Sequence, residues 1–410
     1  MSWKCLENVA YCKLSLWMLI VSSLACTDHV SSSRISGHTE DTSFEAIEEF
    51  RQQQSVIAEH APSQGIVMSY TMFTEHQRED MATAFLKSGI ESLWVVVPKA
   101  FTAAEEEQGL SKLYREAGSD RSKIKLLRQP VEGKLREWAR DFAPLTARTA
   151  KGELRLLDFN YYSDRPADDS VPGELARMMK LQRVSVPVYN EGGNFMNNTE
   201  GACLMTDRVL RANDAKEVEA DRILSKAEIE SYYRDFAGCK SVQIFPSMPY
   251  EGTKHIDLWA KFIDDRTIIV ADLEAKILDL PAYSPEDRSK VAEVREYLNA
   301  RAAEIKALGF QVVRVPMPAP SFASDGFNLF RSFTNSLILN GTVFIPRYRQ
   351  PTNPLDGING QYLDASLQEA YHKDVERIHK ELGLRVEWID SDSLIAKGGA
   401  VHCTTMQIAR

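Results

Sequence analysis

Residues 85–98, Phe-Leu-Lys-Ser-Gly-Ile-Glu-Ser-Leu-Trp-Val-Val-Val-Pro, run a helical pattern into a glycine and then into an unbroken apolar stretch. The same phrase returns at 305–316 (IKALGFQVVRVP) and 380–389 (KELGLRVEWI), and in shorter form at 236–245 (FAGCKSVQIF). Gly89, Gly238, Gly309 and Gly383 stand where a helix ends in a left-handed residue, which predicts a helix before each and a strand after it. Helix starts are legible too. Ser284-Pro285-Glu286 places an N-cap, a proline at the first position and an acid behind it.

A second phrase alternates with the first. Hairpins are predicted over 146–157, 194–206, 258–271 and 336–346, turning at Lys151-Gly152, Glu200-Gly201, Asp264-Asp265 and Asn340-Gly341. A polar residue stands ahead of each: Asp141, Glu191, the His255/Asp257 pair and Asn335. The fifth member of the series is Cys403, near the end of the chain. Modules of roughly 50 to 80 residues, each one supersecondary unit, predict an α/β repeat architecture closed into a ring. Residues at the matched place in every module then converge on one central cleft.

Cys403 ends the run Gly398-Gly399-Ala400-Val401-His402-Cys403-Thr404-Thr405. A glycine pair lets the backbone approach a ligand closely, which a nucleophile needs and a buried structural cysteine does not. Asp141 and Asp257 facing one ligand offer planar acceptors suited to a guanidinium, through paired charge-assisted bonds. His255 is the candidate acid and base, and Glu191 is placed to hold its ring and favour the imidazolium. Together the set fits attack by Cys403 on a guanidinium carbon, loss of ammonia, and hydrolysis of a covalent thiouronium. Catalysis so drawn needs no cofactor and no metal.

Composition sets the outer bounds. The chain has 410 residues and a net charge of −9, which suits a globular protein and gives no reason to expect nucleic acid. Residues 1–26 read as a signal peptide: Lys4 and Lys13 flank a start, Leu14 to Leu24 is almost wholly apolar, and Ser23-Leu24-Ala25-Cys26 resembles a lipoprotein cleavage box. Export to the cell envelope is expected, with membrane contact only through a lipid on Cys26. Residues 27–60 are expected to form a disordered tether and linker, and 61–410 a single catalytic domain. Outside the leader stand Cys203, Cys239 and Cys403; the first two could pair in an oxidising compartment, leaving Cys403 as the odd thiol.

Four phrases in order, Arg140-Asp141, Glu191-Gly192-Gly193-Asn194, His255-Ile256-Asp257 and the run Gly398 to Thr405, resemble the bacterial agmatine deiminase and Porphyromonas-type peptidylarginine deiminase family. This is a branch of the guanidino-group-modifying enzymes of pentein fold. The resemblance spans about Ile66 to the C-terminus. It implies a five-bladed α/β propeller with pseudo-fivefold repeats and a central active-site cleft. It implies Cys403 as nucleophile, His255 as acid and base, Asp141 and Asp257 as guanidinium clamps, and Glu191 beside the histidine. It also implies Asn335 as a substrate contact and Arg165 as a residue for a C-terminal carboxylate. Trp138 is the candidate wall for the aliphatic arm. Agmatine deiminases carry Asn-Ala-Trp-Gly where this chain has Asn160-Tyr161-Tyr162-Ser163, and a third glycine in the terminal motif where it has Lys397. The expected activity is therefore hydrolysis of peptidyl- or C-terminal arginine to citrulline, with agmatine deimination to N-carbamoylputrescine as the alternative. Amidinotransfer and a non-catalytic binding role stand behind both.

Overall fold

The four helix-ending glycines adopt left-handed φ values in the computed structural model: 87° at Gly89, 71° at Gly238, 98° at Gly309 and 83° at Gly383. Each follows a helix and leads into a strand. The helices are Glu79–Lys87, Lys226–Ala237, Pro285–Ala307 and Gln368–Glu381; the strands are Ser92–Val97, Ser241–Phe245, Gln311–Pro316 and Arg385–Asp390. The structure describes residues 50–214, 223–322, 328–349 and 365–410. A fifth copy escaped the sequence pattern because Lys180 takes the glycine's place. It has φ 56° and ψ 38° between helix Val171–Met179 and strand Gln182–Tyr189.

These five units build five separate sheets of one plan in a mixed α/β fold. In each, an antiparallel pair is extended by a parallel strand that the helix carries back, since parallel pairing requires a crossover. Leu145–Thr149 pairs with Leu154–Asn160, and that strand with Gln182–Tyr189. Met196–Asn197, Ala202–Thr206 and Ser241–Phe245 repeat the order. So do Ala260–Phe262, Thr267–Asp272 and Gln311–Pro316, then Leu337–Leu339, Thr342–Arg347 and Arg385–Asp390. The last sheet joins the two ends of the domain. Thr405–Ala409 pairs antiparallel with Ser63–Ser69, which continues in parallel to Ser92–Val97 and Ile124–Arg128. Asn340 and Gly341, at φ 51° and 76°, make the primed turn that an Asn-Gly hairpin predicts.

Apolar strands packed on both faces join the sheets to their helices. Leu93, Val95, Val96 and Val97 are fully buried, and Phe85 meets Phe344 edge to face with centroids 4.8 Å apart, linking two sheets. Cys203 and Cys239 form a disulfide between strand Ala202–Thr206 and the turn after helix Lys226–Ala237.

One boundary shifts. The expected linker reaches residue 60, but Gln54–Val56 is already a strand, paired antiparallel with Leu145–Thr149. Gln54 is buried, accepting from Arg155 and donating to the Phe236 carbonyl. A polar composition suggests solvation, yet the side chain of Gln54 finds its partners inside the fold. The leader 1–26 and the tether up to Ser43 lie outside the described residues.

The turn chemistry is testable. A left-handed lysine is strained, so Lys180→Gly should raise unfolding free energy by about 0.5–1 kcal/mol in urea titration. Gly238→Ala combines a strained φ with a Cβ placed 2.8 Å from the Gln54 carbonyl oxygen, and should lower it by about 2 kcal/mol or more. Equal effects at the two positions would contradict the reading of Lys180 as the fifth cap.

Candidate active site

Each polar residue singled out in the sequence stands shortly before the first strand of a sheet. Asp141 precedes Leu145–Thr149, Glu191 precedes Met196–Asn197, Asp257 precedes Ala260–Phe262, Asn335 precedes Leu337–Leu339 and Cys403 precedes Thr405–Ala409. Equivalent placement in five like units brings them together. Asp141, Glu191, His255 and Cys403 line one cavity of about 440 Å³ with Trp138 and Arg165. Asn335 and Asp257 are buried beside Cys403, with Asp257 Oδ2 facing the same space beside Gly193 as Asp141 Oδ1.

His255 is 2% exposed, with Nε2 3.1 Å from Glu191 Oε2 and Nδ1 3.8 Å from Asp141 Oδ1. Nδ1 makes no hydrogen bond among the described residues. Burial opposes a charge on this ring, but Asp141 and Glu191 outweigh it and raise its pKa to about 10. Glu191 is held at about 2: burial opposes the charge, while His255 and Arg208 favour it. Arg208 Nε donates to Glu191 Oε2 at 2.8 Å, and its Nη2 donates to the Tyr162 hydroxyl. Asp141 is pushed up by burial and by the neighbouring charges of Glu191 and Asp257, with His255 pulling the other way.

The nucleophile candidate is held from several sides. Asn335 Nδ2 donates to Cys403 Sγ at 3.1 Å and to Asp257 Oδ2 at 2.9 Å, while its oxygen accepts from the Ala400 and Cys403 amides. Arg140 N donates to the Cys403 carbonyl at 3.1 Å. Its guanidinium turns away from Asp141 toward Gln407 and Glu59. Cys403 Sγ lies 3.6 Å from Asp257 Oδ2. Burial, reinforced by the charges of Asp257 and Asp141, pushes the thiol pKa well up. These surroundings thus favour the neutral thiol over the thiolate.

Two glycines keep the cleft open. A Cβ on Gly193 would lie 2.7 Å from His255 Nδ1 and 3.1 Å from both Asp141 Oδ1 and Asp257 Oδ2. A Cβ on Gly399 would lie 2.6 Å from the Trp138 ring and 3.0 Å from Cys403 Sγ. The space they leave is bounded by carboxylates, an imidazole, a thiol and one indole face. The ligand atoms of Asp141, Glu191 and His255 lie within 4.8 Å of one another, a spacing that would also hold a cation.

Asn335, expected to contact substrate, is wholly buried and engages Asp257 and Cys403. Arg165 lies at the cavity mouth, its guanidinium 4.9 Å above the Tyr162 ring and its Nη1 donating to Tyr161 at 2.9 Å. Sequence reasoning missed Arg208, Tyr162, Glu59 and Lys261. Arg208 is one arginine among many and carries no motif. Tyr161-Tyr162 was noted as a departure, and that departure was the available signal.

Such a cleft belongs to an enzyme that modifies guanidino groups, a hydrolase of linear amidines with a cysteine in reach of an anionic cradle. The chain belongs to the Porphyromonas-type peptidyl-arginine deiminase family, whose model matches residues 47–409. An agmatine deiminase of Medicago truncatula is 21% identical over 308 residues, covering 66% of this chain and 75% of that protein. Among solved structures, C. jejuni agmatine deiminase superposes with TM-score 0.63 at 18% identity, covering 87% of this chain and 97% of the other. The agmatine deiminase of Enterococcus faecalis gives 0.64 at 17%, covering 89% and 97%. The fold is therefore that of the solved agmatine deiminases.

Two outcomes follow from the geometry. Gly193→Ala should reduce kcat/KM by at least about a hundredfold, because its methyl fills the cradle against His255, Asp141 and Asp257; retained activity would move the substrate elsewhere. The His255 pKa is raised from 6.5 to about 10, so its stabilising contribution is complete below the lower value and lost as pH climbs through the upper one. Ionising the buried thiol acts in the same direction. The melting temperature should fall from pH 7 to pH 10, and His255→Asn should flatten that fall; parallel curves would contradict the assignment.

Proposed function

We propose that this protein is a guanidine deiminase that converts a carboxylate-bearing guanidine, free arginine or a C-terminal arginine, into the ureido product and ammonia. The observation that carries the reaction is the convergence of Cys403, His255, Asp141 and Asp257 on the space beside Gly193. Five sheets of one plan support an arrangement as blades of a propeller around that space.

The cradle without substrate holds more negative than positive charge. A guanidinium entering between Asp141 and Asp257 supplies the missing positive charge in a site of low polarity, where it counts most. Its arrival also lowers the cost of ionising Cys403, because the two carboxylates that oppose the thiolate become paired; the thiol's proton passes to water, since His255 already carries one. The thiolate then attacks the guanidinium carbon, forming a C–S bond. The C–N bond to an unsubstituted nitrogen breaks, and that nitrogen leaves as ammonia with the proton that His255 holds. His255, now neutral, takes a proton from a water that adds to the thiouronium carbon. The C–S bond breaks, Cys403 departs as thiolate, the added hydroxyl's proton leaves to water and converts the released ammonia to ammonium, and the ureido product carries the water's oxygen. Glu191 and Arg208 hold the ring of His255 through this cycle. Trp138 flanks the aliphatic arm, and Asn335 steadies Cys403 and Asp257 rather than touching the substrate.

Charge at the mouth supports the choice of substrate. Arg165, Arg208, Arg211, Lys254 and Lys397 line the cavity with Asp141 and Glu191; Arg208 is paired with Glu191, Arg211 with Asp207 and Lys397 with Glu75, so the support for a distal carboxylate rests on Arg165 and Lys254. Arg165 Nε makes no hydrogen bond among the described residues. A distal carboxylate suits this rim, whereas the distal ammonium of agmatine meets like charge. The second reading is agmatine deimination. The names of the relatives support it at least as well, and they are its specific observation. The Cys203–Cys239 disulfide supports a further proposal, that the protein works in an oxidising compartment outside the cytoplasm.

Purified protein should be offered agmatine, L-arginine, and peptides with internal or C-terminal arginine, with ureido product and ammonia scored. The account expects kcat/KM for a carboxylate-bearing guanidine to exceed that for agmatine by about tenfold or more, and Arg165→Ala to shrink the gap. Preference for agmatine would establish the second reading, and no ureido product from any of them would reject the reaction.

A further inference from the structure

Behind the cleft, the buried charges of Glu59, Lys261, Arg140 and His402 adjoin Asp257. They belong to four separate stretches of the chain, and with Asp257 they line a cavity of about 40 Å³. Glu59 uses its two oxygens for different neighbours. Oε1 accepts from Lys261 Nζ at 2.8 Å and from the Ile338 amide at 2.9 Å. Oε2 lies 2.7 Å from His402 Nε2 and 3.8 Å from Arg140 Nη2. His402 Nδ1 in turn lies 2.7 Å from Asp257 Oδ2. Each of the two 2.7 Å contacts needs a proton between its heavy atoms. Glu59, His402 and Asp257 therefore hold two protons among them and a net charge of −1, which Lys261 offsets.

The consequence falls on Asp257. A carboxylate turns freely about its last torsion unless its oxygens are tied. Here Oδ2 receives His402, Asn335 at 2.9 Å and Cys403 at 3.6 Å, while Oδ1 makes no hydrogen bond among the described residues. The plane of the carboxylate is thus set from behind, and His402 is itself set by Glu59 Oε2. A role confined to neutralising Lys261 would account for Oε1 and leave the Oε2 contact without a purpose. We propose that Glu59, acting through His402, is a positioning residue that holds the Asp257 carboxylate in the orientation in which it accepts a guanidinium. This rests on the reading of Asp257 as one of the two guanidinium clamps.

A clamp that binds ground state and transition state alike governs KM more than kcat. Glu59→Gln in the full-length protein should therefore raise KM for agmatine and for L-arginine by about tenfold, the scale of a hydrogen bond to a charged group. It should leave kcat within about threefold and the rate of Cys403 alkylation by iodoacetamide within about twofold. Because the single change leaves Lys261 buried without its carboxylate, the double variant Glu59→Leu/Lys261→Met is the decisive companion. It should recover the melting temperature while KM stays high. Recovery of KM together with the melting temperature, or a normal KM in folded Glu59→Gln, would overturn the proposal and leave Glu59 as a counter-ion. Asp257→Asn serves as the control. If it too leaves KM unchanged, the clamp reading fails; if it raises KM while the Glu59 variants do not, the positioning role alone fails.

Discussion

Asp257 Oδ2 gathers donors from His402 at 2.7 Å, Asn335 at 2.9 Å and the Cys403 thiol at 3.6 Å. His402 and Cys403 precede strand Thr405–Ala409, Asn335 precedes Leu337–Leu339 and Asp257 itself precedes Ala260–Phe262, so this one oxygen can be reached only when three units meet. Burial works against charge on Asp257, yet His402 and His255 hold its pKa below the ordinary range. A carboxylate that stays ionised while buried is costly to keep unpaired. The arrangement therefore favours a cation in the cleft, while burial, reinforced by the same negative charge, disfavours the thiolate. Binding and activation are two readings of one electrostatic imbalance.

Coupling of this kind also restrains the nucleophile. A permanently ionised thiol would be open to alkylation and oxidation, and a thiol pushed up by burial and by Asp257 and Asp141 is less so. In the proposed reaction the substrate supplies the positive charge that ionises Cys403, and His255 arrives already carrying its proton. Burial penalises the charged form of Glu59, but Lys261, His402 and Arg140 outweigh it and hold its pKa well below the usual range. A second set of charges thus lies directly beneath the first, and the site is two layers deep.

Much of this is legible in the sequence, because repetition is a strong signal. Gly89, Gly238, Gly309 and Gly383 marked four crossovers through one steric rule, and the fifth was hidden only because Lys180 accepts the same strain. Asp141, Glu191, His255, Asp257, Asn335 and Cys403 were found by their matched place ahead of each hairpin, and the structure gathers all six. What the pattern does not carry is which side of a residue faces the cleft. Asn335 looked like a substrate contact and is a bracket between Cys403 and Asp257. Arg140, next to Asp141 in the chain, points instead to Gln407 and Glu59. Glu59 lay in a stretch whose polarity reads as solvated linker, and only its contacts with Lys261 and His402 give it a place. Tertiary partners of single polar residues leave no periodicity for a sequence to display.

The claim on which the rest depends is that Cys403 attacks a guanidinium carbon. The direct measurement is acid quench during turnover, with agmatine and L-arginine each as substrate, followed by peptide mass mapping. The account predicts that the peptide containing Cys403 gains the mass of the substrate less one ammonia, and that the gain is absent from Cys403→Ser. Turnover with no mass gained at Cys403 under any quench time, or turnover retained in Cys403→Ala, would contradict it.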